Sequence, residues 1–112
     1  MKKITSDITK ASTLEGKFYT SEYLFKDSLE KVFSRNWQFI TDTCKLKEDR
    51  NAFPFNFLAD VIPEPLVLIN NKGNIKCFSN VCTHRGNILF DSKTRIAKNI
   101  VCNYHGKTFD KE

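Results

Sequence analysis

Two short stretches of this chain, "VCTHRGN" at 81–87 and "VCNYHGKTF" at 101–109, limit what it can fold into more than any other feature. The chain has 112 residues and two histidines, and each histidine lies within three positions of a cysteine, as Cys82-x-His84 and Cys102-x-x-His105. A glycine follows each pair, Gly86 two residues after His84 and Gly106 immediately after His105. Thiolate and imidazole at such spacing are metal-ligand chemistry. Glycine lets a loop turn tightly and brings backbone N–H groups close to whatever the loop holds. The fold must therefore carry two loops, each offering one sulfur and one nitrogen.

The rest of the chain says where those loops sit. Residues 1–17 are polar and read as an arm. From Ser21, the residues Leu24, Phe25, Leu29, Val32, Phe33 and Trp37 fall on one face at helical spacing, most simply a core face. Thr20 or Ser21 can cap this helix, and Asp27 with Glu30 reads as a second capping signal, which predicts a break near Lys26. "WQFIT" alternates like a short strand, "CKLKEDRNA" is a polar loop, and "FPFNFLADVI" reads as extended chain interrupted by Pro54. "PLVLI" and "IKCFS" flank "NNKGN", the clearest hairpin in the sequence. It leads directly into Cys82. "SKTR" marks a further turn, "NIVC" reads as a strand entering the second loop, and "KTFDKE" begins another. The expectation is a mainly β (α+β) chain: an arm and helix over 1–45, then an antiparallel β domain over 46–112 with both Cys/His pairs on loops at strand ends.

Composition narrows the function. The chain is 40% hydrophobic and 28% charged, which fits one small globular domain with a modest core. Its formal charge is +5, but the basic residues are scattered, so no nucleic-acid partner is expected. The N-terminal stretch lacks the apolar run of a signal peptide, and nothing approaches the roughly 18 apolar residues of a membrane span. The expected location is the cytoplasm, where the four cysteines stay reduced and thiols bind metals more often than they form disulfides.

Three metal chemistries compete for Cys82, His84, Cys102 and His105. A structural zinc site accepts two thiolates and two imidazoles, but zinc fingers usually pair like with like, whereas each loop here mixes types. A plant-type ferredoxin needs C-x₄-C-x₂-C; Cys77 and Cys82 satisfy the first spacing, but Arg85 stands where the third cysteine belongs. In a Rieske centre two cysteines hold one iron of a [2Fe–2S] cluster and two histidines hold the other. One ligand of each type per loop suits that arrangement. Cys44 and Cys77 have no histidine partner and read as buried free thiols acting as small hydrophobes. Trp37 reads as core and Arg85 as an exposed loop residue; Tyr104 packs either on the cluster loop or on the surface.

"FSRNWQFI", "FSNVCTHRGNIL" and "CNYHGKTFD" resemble the N-terminal part of the α subunits of Rieske non-haem iron ring-hydroxylating oxygenases, over residues 18–112. The resemblance implies an antiparallel Rieske-type iron–sulfur fold preceded by a helix, with Cys82 and Cys102 on the inner iron and His84 and His105 on the outer one. It also implies an oxidoreductase supplied by a ferredoxin or NAD(P)H-dependent reductase, and a homo-oligomer, often a trimer. In that family a larger catalytic domain follows, holding a mononuclear Fe(II) on two histidines and a carboxylate. No such triad can be built here once His84 and His105 are used. The chain therefore reads as an N-terminal fragment of a dioxygenase- or monooxygenase-type subunit, with the C-terminal strands of the Rieske fold missing. A stand-alone Rieske-type ferredoxin is the alternative, and a zinc module a third. High-potential Rieske proteins join their loops by a disulfide where this chain has Asn87 and Tyr104, and place hydroxyls where it has Lys107 and Phe109. That difference predicts a potential toward the low end of the Rieske range of about −150 to +300 mV.

Overall fold

The structure is a computed structural model and describes residues 5–58 and 64–110. It divides into two compact units, Met1–Phe39 and Ile40–Glu112.

The first unit holds two short helices, α1 (Gly16–Thr20) and α2 (Glu22–Lys31), then a single 3-10 turn at Phe33–Arg35. Ser21 separates the helices. Its backbone is extended (φ −86°, ψ 114°), and its Oγ accepts the Leu24 N–H at 3.3 Å, the capping bond of α2. The helix break thus lies at Ser21 rather than near Lys26. Asp27 does not open a new helix; it pairs with Lys31 one turn on, as Glu22 pairs with Lys26. The apolar stripe is not a core face among the described residues. Neither helix has a buried residue, Phe25, Val32 and Phe33 are exposed, and Trp37 is fully so. Two short helices offer too little facing surface to enclose that stripe. Nor is "WQFIT" a strand: residues 37–42 carry no regular structure, and Phe39 is exposed.

The second unit is the β domain. Strands β1 (Asn51–Phe57), β2 (Glu64–Asn71), β3 (Asn74–Ser79) and β4 (Thr94–Arg95) form one sheet in the order β3-β2-β1-β4. Strands β5 (Ile100–Val101) and β6 (Thr108–Phe109) form a separate antiparallel pair. The β2–β3 hairpin falls where "NNKGN" predicts it. Asn71 faces Asn74 across a two-residue turn, with Lys72 at φ 54° and Gly73 at φ 86°. Two positive φ angles in succession match the twist of the flanking strands. The turn is fixed further by Asn70 Oδ1, which accepts the Gly73 N–H at 2.7 Å.

Pro54 does not interrupt β1, which pairs with β2 from Ala52 to Phe57 with Pro54 opposite Val67. On its other side β1 is covered by β4 only at Asn51 and Ala52, so the missing N–H of Pro54 costs no ladder bond there. The Leu58–Ile62 end of "FPFNFLADVI" departs from the ladder at Leu58, and residues 59–62 lie outside the described residues. "SKTR" is only partly a turn, since its last two residues form β4. "NIVC" and "KTF" are the strands β5 and β6 that the sequence predicts, and Lys111 and Glu112 lie outside the described residues.

The core gathers Ala52, Val67, Ile69, Ile96 and Ile100, with Phe78, Leu89, Phe90 and Phe109 packed against it. Strand alternation explains why Cys77 is not part of it. Phe78, opposite Val67, faces the core, so Cys77, opposite Leu68, faces the other way and is exposed. Cys44 is exposed as well, in the 3-10 turn Thr43–Leu46, where only Leu46 is buried. The expectation of two buried spare thiols is thus corrected at both positions.

Candidate metal centre

Both Cys/His loops are built on one backbone frame. In the first, the Cys82 N–H donates to the Asn87 carbonyl at 2.7 Å and the Gly86 N–H donates to the Cys82 carbonyl at 2.9 Å. In the second, the Cys102 N–H donates to the Lys107 carbonyl at 2.8 Å and the Gly106 N–H to the Cys102 carbonyl at 2.9 Å. Counted from each cysteine, glycine stands at the fourth following position and the closing carbonyl at the fifth. Gly86 has φ 70° and Gly106 φ 71°, left-handed angles that cost an L residue with a Cβ about 1–2 kcal/mol. This is the physical reason for a glycine in each motif.

Each loop closes at its base on an antiparallel pair, Val81 opposite Ile88 in the first and Val101 opposite Thr108 in the second. The first is held further by Asn80, which follows β3 and is buried. Asn80 Nδ2 donates to the Phe90 carbonyl at 2.8 Å, and its Oδ1 accepts the Phe90 N–H at 2.9 Å. Its backbone carbonyl also accepts the Leu89 N–H at 3.0 Å, and its own N–H donates to Pro65 at 2.8 Å. One side chain thus imitates a ladder partner and draws the far end of loop 82–87 back to the sheet. Nothing in the sequence singled out Asn80; an asparagine directly after a strand and two residues before a candidate ligand cysteine was the available signal.

The four candidate ligands are brought together, segregated by type. Cys82 and Cys102 are each 2% exposed. His84 and His105 are exposed, with ring centroids 4.9 Å apart and planes at 68°. The Tyr104 ring lies over His105 at 3.8 Å, tilted by 42°, so Tyr104 packs on the cluster loop while its own surface stays exposed. Arg85 is exposed, as expected.

Electrostatics favours the thiolate at Cys102. The backbone N–H of Tyr104 is the main cause holding its pKa below the ordinary thiol value, aided by the Cys82 thiol, the His105 N–H and the Asn87 side chain. Burial opposes this but does not win. Among the described residues no set of three or more His, Cys, Asp or Glu closes around a single metal-ion position. What the loops offer is a pair of sulfurs on the inner side and a pair of imidazoles on the outer side. That donor set fits a two-iron group bound end-on, thiolates at one end and imidazoles at the other. All four cysteines are free, so no disulfide links the loops.

With that geometry in place, the comparisons with known proteins agree. Residues 36–112 match the Rieske [2Fe-2S] domain family. The large oxygenase component of a naphthalene 1,2-dioxygenase system from Pseudomonas aeruginosa is 35% identical over 104 residues, covering 93% of this chain and 22% of that protein. The corresponding component of a 2,4-dinitrotoluene dioxygenase system from Burkholderia sp. (strain RASC) is 34% identical over 88 residues, 79% of this chain and 19% of that protein. Among solved structures, the quaternary ammonium Rieske monooxygenase CntA with an inhibitor superposes with a TM-score of 0.77 at 30% identity, over 89% of this chain and 27% of that one. Naphthalene 1,2-dioxygenase with indole bound gives 0.66 at 30% identity, over 83% of this chain and 20% of that one. The chain spans about a fifth of the curated relatives it matches. With its mixed Cys/His loops on an antiparallel sheet and the match over residues 36–112, the chain belongs to the Rieske [2Fe-2S] domain family.

Proposed function

We propose that Cys82, His84, Cys102 and His105 are the four ligands of the Rieske [2Fe–2S] cluster, and that the chain is the electron-transfer domain of a ring-hydroxylating oxygenase α subunit. The observation that carries this reading is the segregation of donors, thiols buried and imidazoles exposed. A single zinc ion would instead need all four donors around one point. When bound, such a cluster supplies one-electron transfer at a potential set by its ligands and their hydrogen bonds. The chain's own part is to keep two sulfurs buried and two imidazoles at the surface.

The electrons would come from a ferredoxin or an NAD(P)H-dependent reductase and serve a mononuclear non-haem iron in a catalytic domain outside this chain. Support comes from the relatives, which are large components of dioxygenase systems. For assembly we propose a homo-oligomer, a trimer in the full-length protein; one quaternary ammonium Rieske monooxygenase structure is described as revealing inter-subunit electron transfer. A cytoplasmic location accords with four free cysteines. No helix among the described residues is long and apolar enough to cross a membrane. The domain boundary proposed remains that of an arm and helix over 1–45 and a Rieske domain over 46–112.

The test is to produce the chain with iron and sulfide supplied and to record absorption and reduced-state EPR spectra. A red-brown protein with the EPR pattern of mixed thiolate and imidazole ligation is the expected outcome. A colourless protein holding stoichiometric zinc would replace this reading with a structural site.

A further inference from the structure

The fifth position after each ligand cysteine does more than close its own loop. At that position stand Asn87 in the first loop and Lys107 in the second, and each side chain crosses to the opposite loop. Asn87 Nδ2 lies 3.7 Å from Cys102 Sγ and also donates to the Ile88 carbonyl at 2.8 Å, which fixes the amide with its N–H side toward the sulfur. Lys107 Nζ donates to Thr83 Oγ1 at 2.7 Å and sits 5.4 Å from the centroid of the Phe109 ring. The two backbone carbonyls that accept the cysteine N–H groups hold both departure points still.

We infer that Asn87 and Lys107 form a reciprocal clasp between the two cluster loops, and that the Asn87 amide, donating to Cys102 Sγ, is a positioning residue that raises the cluster's potential. The inference rests on the reading of Cys102 as a cluster ligand. Its physics is direct. An N–H aimed at a thiolate sulfur stabilises negative charge, and the reduced cluster carries one more negative charge than the oxidised one, so the donor favours reduction. The clasp also does mechanically what a cross-link would do, since no disulfide joins the loops. Its two halves differ in exposure: Cys102 is buried, whereas Lys107 and Thr83 lie on the exposed rim. Only the Asn87 half reaches a ligand atom, so only that half acts on the potential through a hydrogen bond, and removing the Thr83 acceptor leaves the Lys107 charge in place.

The experiment uses the cluster-loaded chain and reads two quantities, the midpoint potential and the rate of cluster loss to a chelator. Asn87→Leu keeps the side-chain volume and removes the donor. It should lower the midpoint and speed cluster loss several-fold, with the mixed-ligand EPR pattern retained. Thr83→Val removes the acceptor of Lys107. It should leave the midpoint in place and speed loss about fivefold, the factor carried by one ordinary hydrogen bond. A fully loaded Asn87→Leu protein with the wild-type midpoint would overturn the role of Asn87, and a wild-type loss rate in Thr83→Val would overturn the Lys107 half. If Asn87→Leu takes up no cluster, Asn87→Gln decides: recovered loading supports a donor role, and continued failure assigns Asn87 to loop packing and overturns it. A wild-type chain that takes up no cluster under the same supply overturns the ligand reading, and this one with it.

Discussion

Loops 82–87 and 102–107 share a backbone frame yet carry their imidazoles one position apart, His84 two residues after its cysteine and His105 three after. Glycine at the fourth position and the closing carbonyl at the fifth are common to both. The frame is therefore counted from cysteine to glycine, and the histidine is a side chain hung on it at either of two rungs. Position three holds Arg85 in one loop and His105 in the other; position two holds His84 in one and Tyr104 in the other. The comparison teaches that backbone shape and ligand placement are separable here. Two loops of one shape bring their imidazoles to within 4.9 Å of one another from different offsets.

The sharpest way to break the comparison is at the ligands. Cys82→Ser should abolish cluster binding as completely as Cys102→Ser, whereas Cys44→Ser, at an exposed thiol outside both loops, should leave iron content and absorption unchanged. Retention of the cluster in either ligand variant would end the equivalence of the loops. A smaller effect separates them by how they are tied. Asn80→Ala removes both side-chain bonds to Phe90 and should cost about 2–3 kcal/mol in denaturant unfolding. The loss should fall on loop 82–87, read as faster amide exchange there than in 102–107. Equal acceleration in both would make the two loops one cooperative unit.

The glycines probe what the loops share. Nothing lies within 4 Å of a Cβ built at Gly86 or Gly106, so alanine meets only the strain of a positive φ. Gly86→Ala and Gly106→Ala should each cost about 1–2 kcal/mol, and by similar amounts. A clearly unequal pair would show that one frame relaxes and the other does not. The smallest effect belongs to a control outside both loops. The N–H of Cys44 holds the Asp42 carboxyl below the usual carboxylate range. A depressed pKa contributes stability that is present above the unfolded carboxylate value, about 3.9, and is lost as pH falls through the folded value. Thermal unfolding of Asp42→Asn should therefore fall slightly below wild type at neutral pH and converge with it in acid. Cluster absorption should not respond.

What could be read in the sequence was local. The Cys/His pairs, their glycines, the Asn-rich hairpin turn and a cap at Thr20 or Ser21 each depend on residues a few positions apart, and the structure takes Ser21 for the cap and leaves the others where the spacing puts them. What could not be read depends on partners distant in sequence. Pro54 fits inside β1 because β4 stops two residues short of it, a fact about a strand some forty residues away. Cys77 is exposed because Phe78, not Cys77, lands on the Val67 and Ile69 face. Helical spacing on α2 showed which residues share a face but not whether anything covers them. Asn87 was visible only as a cysteine that is absent; its bond to Cys102 needed both loops in place.

One consequence concerns light rather than chemistry. The chain has a single tryptophan, Trp37, and its side chain is fully exposed. An indole already in water has little further change to report when the chain unfolds, so the intrinsic emission of this protein is nearly blind to the melting of its β domain. The same exposure makes Trp37 a sensitive reporter of the opposite event. Anything that covers it, whether another copy, another domain or another protein, takes the ring out of water and moves its emission to the blue. A blue shift on mixing would then announce contact at this residue without any label having been attached.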